Sequence, residues 1–251
     1  MHIDLTGRTV LVTGASRGIG AEIAQQLAAS GARVAVHYSA SADEAEEVVF
    51  ACGNGARAFR ADLADTAACK ALWDSVVAAF GRVDVLVNNA GVAMALEDPS
   101  LETWLTVWDR TVDVNLRASA LLCHLACEHF VGNGGGRIIN ISSRAAFRGD
   151  QPEYIAYAAS KGGMVALTRS IARGFGKQGV VAFNIAPGFV RTAMAQDFLD
   201  QYGDDYATKD IALTRLTEPA DVAPMVVFLA SGLSDHATGA TIDINAASYV
   251  H

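Results

Sequence analysis

The chain of 251 residues is 51% hydrophobic and 18% charged, with a net charge of −8. That length and balance fit one large α/β domain with a sizeable core. The acidic surplus builds no basic stripe for nucleic acid and disfavours anionic membranes, but it leaves room for an anionic ligand in a local basic pocket.

Arg8–Val12 reads as a short apolar strand running into a glycine-rich turn, and Gly20–Ser30 as a helix with Ile23, Ala24, Leu27 and Ala28 on one side. Val34–His37 is a second strand, Ala42–Cys52 a second helix, Ala56–Arg60 a third strand and Thr66–Phe80 a third helix. Val83–Val87 has the continuous apolar run of a central parallel strand. Leu101–Phe130 is one long helical region with a bend expected near Asp113, and Arg137–Ile141 follows as strand five. Tyr154–Phe175 is the next helix, Val180–Ile185 strand six, Ala220–Ala230 a helix and Thr241–Ile244 the last strand. Strand and helix alternate throughout, with no repeat or linker, so the expected fold is a single-domain, Rossmann-type doubly wound parallel sheet of about seven strands.

Cys52, Cys69, Cys123 and Cys127 show no paired zinc-ligand spacing, and no metal site is expected. Cys123 and Cys127, one helical turn apart, read as small apolar packing residues rather than a redox or metal pair. Free thiols, no membrane-length apolar run and no basic leader in Met1–Leu5 lead us to expect a cytoplasmic protein.

Two motifs carry chemistry. In Thr13-Gly14-Ala15-Ser16-Arg17-Gly18-Ile19-Gly20, glycines would let a pyrophosphate approach backbone amides at the positive end of the following helix. In Tyr157-Ala-Ala-Ser-Lys161, phenol and ammonium share one helix face, an arrangement that should lower the phenol pKa from about 10 toward neutrality. Ser142-Ser143 lies upstream on a strand end. Adjacent strand residues face opposite ways, so only one can serve, and Ser143 is preferred.

Taken in order, these motifs resemble the short-chain dehydrogenases/reductases across essentially the whole chain. Thr13-Gly14 through Gly20 is similar to that family's cofactor loop, and Asn88-Asn89-Ala90-Gly91 to its motif after strand four. Asn115, Ser143, Tyr157 and Lys161 match its catalytic tetrad, while Pro187, Gly188, Val190 and Thr192 match the nicotinamide-side segment. The resemblance implies hydride transfer between a nicotinamide and a carbonyl or alcohol carbon. Tyr157 would donate the proton and Ser143 would steady the substrate oxygen. Lys161 would acidify Tyr157 and bond the nicotinamide ribose, and Asn115 would hold a water leading to solvent.

The cofactor expected is NADP(H) rather than NAD(H). Tyr38 stands where NAD users of the family carry Asp, Arg17 lies inside the phosphate loop, and Ser39 and Ser41 could bond a 2′-phosphate. Asp62-Leu63 resembles the pair lining the adenine pocket, though Asp62 could equally cap the helix beginning near Thr66. Residues 191–217 match the family's substrate lid and include Asp197, Phe198, Asp200, Tyr202, Asp204, Asp205, Tyr206 and Asp210.

The pattern is most like the 3-oxoacyl-[acyl-carrier-protein] reductases. Against that, the Gly132–Gly136 turn has no basic residue for an acidic carrier, and Arg173 and Lys177 compensate only in part, so small ketones, sugars and xenobiotic carbonyls remain open. A homotetramer is expected. A non-catalytic NADP-binding sensor or scaffold is disfavoured because it has no use for all four tetrad residues, and a lyase or epimerase would want altered ones. Two departures stand out. The segment from Ser143 to Tyr157 is about one residue longer than in the relatives it resembles, around Phe147 and Arg148. Ala246-Ala247 replaces the family's usual glycine pair, which would strain the chain if either backbone needed positive φ.

Overall fold

In the first strand, β1 (Thr9–Val12), Val10 and Val12 face one apolar layer and Leu11 the other. This alternation recurs in β4 (Val85–Asn88), where Val85 and Val87 oppose Leu86, and in β5 (Gly136–Ile141), where Ile139 and Ile141 oppose Ile138. A strand that is apolar on both faces must be covered on both. The computed structural model, which describes residues 3–193, 195, 203 and 208–250, provides both covers. On one side lie α1 (Gly18–Ala29), α2 (Ala42–Cys52) and α8 (Pro219–Ala230). On the other lie α3 (Thr66–Phe80), α5 (Ala118–Gly132) and α7 (Ile155–Phe175).

With β2 (Arg33–Tyr38), β3 (Arg57–Arg60), β6 (Val180–Pro187) and β7 (Thr241–Ile244), the sheet formed by the described residues has seven strands in the order β3-β2-β1-β4-β5-β6-β7, all parallel. The order reverses between β1 and β4. The carboxyl ends of strands at such a reversal form the crevice where this architecture takes ligands.

Three local features differ from or refine the sequence reading. The long helix is α4 (Leu101–Val112) and α5 joined by a π-turn at Asp113–Arg117, at the expected bend. A π-turn inserts an extra residue and often marks a functional site, and here it carries Asn115. A four-residue helix, α6 (Ala145–Arg148), and a 3₁₀ turn at Pro152–Tyr154 fill the segment between Ser143 and α7. Both are too short to show periodicity. Phe147 of α6 stacks on Tyr249, with centroids 6.4 Å apart.

Ala246 and Ala247 do take positive φ, +51° and +58°. The left-handed region costs an L-residue about 1–2 kcal/mol, part of which a glycine returns as unfolded-chain entropy. Replacing both, Ala246→Gly with Ala247→Gly, should raise the thermal midpoint by about 2–4 °C, on the scale of 1 kcal/mol for a chain this size. A lower midpoint in calorimetry would contradict the strain argument.

Val190 bridges Thr217, and the Arg191 amide donates to the Thr217 carbonyl at 2.9 Å, so the two ends of the expected lid are pinned together. Asp210, within that segment, pairs with Arg144 at 3.1 Å and with Arg148. Asp197, Phe198, Asp200, Tyr202, Asp204, Asp205 and Tyr206 lie outside the described residues.

Candidate active site

Asn115, Ser143, Tyr157 and Lys161 converge at the carboxyl ends of β4 and β5. Lys161, 3% exposed, stands one turn after Tyr157 on α7, its amine 5.7 Å from the centre of the phenol ring. Gly91 lies against the same cluster. A Cβ there would come within 3.3 Å of both the Asn115 Oδ1 and the Lys161 Nζ, so a larger residue would crowd the amine.

The serine pair divides as strand parity requires. Ser142 Oγ donates to the Ile185 carbonyl at 3.1 Å and accepts from Asn184 Nδ2 at 2.7 Å. Those contacts join β5 to β6. Ser143 Oγ accepts from the Ala145 amide at 3.1 Å and adjoins the Tyr157 phenol, on which it acts to lower the pKa.

The electrostatics differ from the expectation of a lysine-acidified phenol. The Lys161 amine donates to the Ile141 carbonyl at 2.9 Å, and burial lowers its pKa to about 8. Burial also pushes the Tyr157 phenol above its usual range, Ser143 works the other way, and Asp150 adds to the rise. Tyr157 is only partly covered as a residue, and desolvation is the largest influence on its phenol, ahead of any benefit of a cation across the ring. Asn115 is fully enclosed. Its Oδ1 accepts from the Val92 amide at 2.8 Å, and its Nδ2 donates to the Val92 carbonyl at 2.9 Å and to Ser160 Oγ at 3.0 Å. The side chain thereby locks the loop after β4 onto α7.

On the other side of the crevice, Gly14, Ser16, Arg17, Gly18, Ile19 and Gly20 form the turn from β1 into α1. Gly14 has φ +61°, and a Cβ on it would meet Ala90 Cα at 2.8 Å; one on Gly20 would meet the Gly14 carbonyl oxygen at 2.2 Å. Asn89 clamps the turn, its Nδ2 donating to the carbonyls of Thr13 and Gly14, both at 2.9 Å. Unlike α3, α4 and α8, which are capped by Asp65, Ser100 and the Glu218/Asp221 box, α1 begins with no side-chain cap and no acid in its first turn. Its first amides and positive dipole end are left for an anion. These observations fit the pyrophosphate of a dinucleotide.

The remaining expected cofactor residues flank the same crevice. Tyr38 and Ser39 close β2, and Arg60 of β3, which the sequence reading missed, pairs in register with Tyr38 and donates its Nε to the Ser39 carbonyl at 3.2 Å. Asp62 bonds the Ala64 amide and pairs with Arg110 of α4 at 3.2 Å, in that order of effect holding its carboxyl below the usual range. It is Asp65 that caps α3, through the Ala67 amide at 2.8 Å. Leu63 is buried beside Cys69. Pro187 ends β6, and Gly188 packs so closely on Asn245 that a Cβ would lie 2.8 Å from its Cα. Val190 is buried at the base of the expected lid, and Thr192 faces Gly18 across the loop.

A second residue missed from sequence is His37, buried in β2 and joined to Gly14 and Ala61. The available signal was a polar ring in an otherwise apolar strand, which must find partners. The four cysteines are free and buried; burial raises the thiols, Cys127 to about 11, as befits packing residues. Among the described residues, no helix is long and apolar enough to cross a membrane.

A parallel sheet reversing at β1/β4, an uncapped glycine turn and a serine–tyrosine–lysine cluster across the crevice define a dinucleotide-binding oxidoreductase architecture. Comparison with known proteins narrows this. Residues 14–246 match the family model described as Enoyl-(Acyl carrier protein) reductase. The chain is 37% identical to the 3-oxoacyl-[acyl-carrier-protein] reductase FabG of Staphylococcus aureus, over 97% of this chain and 98% of that one. It is 38% identical to the D-threitol dehydrogenase of Mycolicibacterium smegmatis, over 96% and 92%. A crystal structure of a dehydrogenase/reductase from Sinorhizobium meliloti superposes with a TM-score of 0.90 at 35% identity, over 99% and 98% of the two chains. The chain belongs to the short-chain dehydrogenase/reductase family of oxidoreductases.

Proposed function

We propose that this oxidoreductase is NADP(H)-dependent and interconverts a carbonyl and a secondary alcohol, in the manner of a 3-oxoacyl-thioester reductase. The observation that carries the reading is the buried Lys161 amine beside the Tyr157 ring, with Ser143 adjoining the phenol, across from the uncapped start of α1. The dinucleotide, when bound, supplies or accepts the hydride. The chain does the rest. Tyr157 gives the substrate oxygen its proton, Ser143 holds that oxygen, Lys161 holds the nicotinamide ribose and steadies the phenol, and Asn115 fixes the loop that carries Gly91.

Preference for NADP(H) is supported by the exposed Arg17 in the phosphate turn and by Arg60, anchored on the Ser39 carbonyl at the end of β2. Tyr38 there supplies no carboxylate to repel a 2′-phosphate. Asp62 is engaged by Arg110. A smaller substrate is the second reading. It is favoured by the near-equal likeness to a relative named for threitol, and a small ketone or sugar would fit it. We place the chain in the cytoplasm, consistent with its four reduced, buried cysteines. We also read it as a homotetramer, since Leu101 and Leu105 of α4 and Ile155 of α7 expose apolar surface beside the stacked Trp104 and Trp108.

The test is a screen of NADPH and NADH oxidation against acyl thioesters, small ketones, sugars and aromatic ketones. Faster turnover with NADPH on acyl thioesters is expected. Preference for NADH would overturn the reading of Arg17, Tyr38 and Arg60, and turnover of sugars alone would favour the second substrate class.

A further inference from the structure

A dinucleotide site works only if its phosphate turn and its adenine wall are held at a fixed separation, and in this chain one buried side chain spans them. We infer that His37 is a positioning residue of the cofactor site: its imidazole ties the phosphate turn to the end of β3, and dinucleotide affinity depends on that tie. The inference rests on the dinucleotide reading above.

His37 is 2% exposed. The Gly14 amide donates to its Nδ1 at 3.0 Å, and its Nε2 lies 3.2 Å from the Ala61 carbonyl oxygen. An amide can only donate and a carbonyl can only accept, so the ring is neutral with its hydrogen on Nε2. The main chain of His37 adds a third bond, its carbonyl accepting from the Ala15 amide at 2.8 Å. Two successive turn amides, Gly14 and Ala15, are thus directed onto His37. The amides that open α1, from Gly18 onward, are left to face an anion.

Gly14 has no side chain of its own to set the turn. It sits at positive φ, pressed against Ala90, so the acceptor of its amide helps to fix how the peptide is rotated. At the far end of the ring, Ala61 immediately precedes Asp62-Leu63, the expected adenine wall. An apolar side chain of similar size would fill the space but strand a donor at Gly14 and an acceptor at Ala61.

Three variants separate the two ends of the ring. His37→Asn sets an amide oxygen where Nδ1 stands and keeps the turn contact. His37→Gln reaches the Nε2 end and keeps the Ala61 contact, and His37→Leu keeps neither. With NADPH dissociation constants measured by fluorescence titration, Asn and Gln, each keeping only one end of the tie, are expected to weaken binding about five- to tenfold and Leu further, the range expected for lost buried partners. Turnover at saturating NADPH and the KM for the carbonyl substrate should stay within about twofold, a split that general loss of structure would not give. If the Leu variant does not fold, the comparison of Asn and Gln with wild type carries the test. Equal NADPH affinity in Gln and wild type, or lost turnover at saturation with affinity intact, would overturn the inference. A wild-type chain that bound no nicotinamide dinucleotide would instead remove the functional reading beneath it.

Discussion

Lys161→Met is expected to act in two opposite directions, lowering turnover about 100-fold or more while raising the unfolding midpoint of the cofactor-free chain. The first effect follows from the placement of the amine beside Tyr157 and Gly91. The second follows from burial. An ammonium whose pKa falls from 10.5 to about 8 on folding costs on the order of 3 kcal/mol at neutral pH, at 1.36 kcal/mol per unit. Methionine removes that cost but leaves the Ile141 carbonyl without its donor, a loss of about 1–3 kcal/mol. A net gain of about 1 kcal/mol corresponds to a rise of roughly 2–4 °C.

The pH dependence carries its own sign. The folded-state pKa is depressed, so the favourable contribution is complete above pH 10.5 and is lost as pH falls toward 8, because the unfolded chain holds a proton that the folded chain has released. Cys52, Cys69 and Cys127, raised by burial to about 11, titrate with the opposite sign in the same region. The difference between wild type and Lys161→Met isolates the lysine. A variant less stable than wild type at pH 7, or one with an unchanged alkaline slope, would show that the amine is not the buried charge described here.

Much of the fold was legible because the apolar strands are short, nearly continuous and punctuated by glycine. The strands and their parallel, doubly wound arrangement need only that pattern and right-handed crossovers, whereas their order across the sheet does not follow from it. What was illegible was short or tertiary. Helix α6 spans four residues, and the π-turn could be read only as a bend. Within the site, spacing paired Tyr157 with Lys161, and strand parity separated Ser142 from Ser143. The target of the lysine amine was not readable, because the Ile141 carbonyl is brought to it by the end of β5. Sequence spacing gives proximity but not desolvation, which is the largest influence on both the Tyr157 phenol and the Lys161 amine. His37 and Arg60 join the site through register with neighbouring strands, which no local motif records. The strain at Ala246-Ala247, by contrast, was visible in advance, because the residue type conflicts with the backbone that the position requires.

The account finally depends on the phenol of Tyr157 as the group that protonates the substrate oxygen. Tyr157→Phe deletes one oxygen and keeps the ring, so α7 and the wall of the crevice should stand unchanged. Ser143 keeps its bond from the Ala145 amide and can still hold a carbonyl, but the proton has no donor. Single-turnover oxidation of NADPH in the presence of a reducible ketone, with the NADPH dissociation constant measured on the same sample, tests this most directly. The account predicts a rate lower by about 10²–10⁴-fold, the usual worth of a positioned acid, with the dissociation constant within about twofold of wild type. A Phe variant that reduces the ketone at the wild-type rate would contradict it.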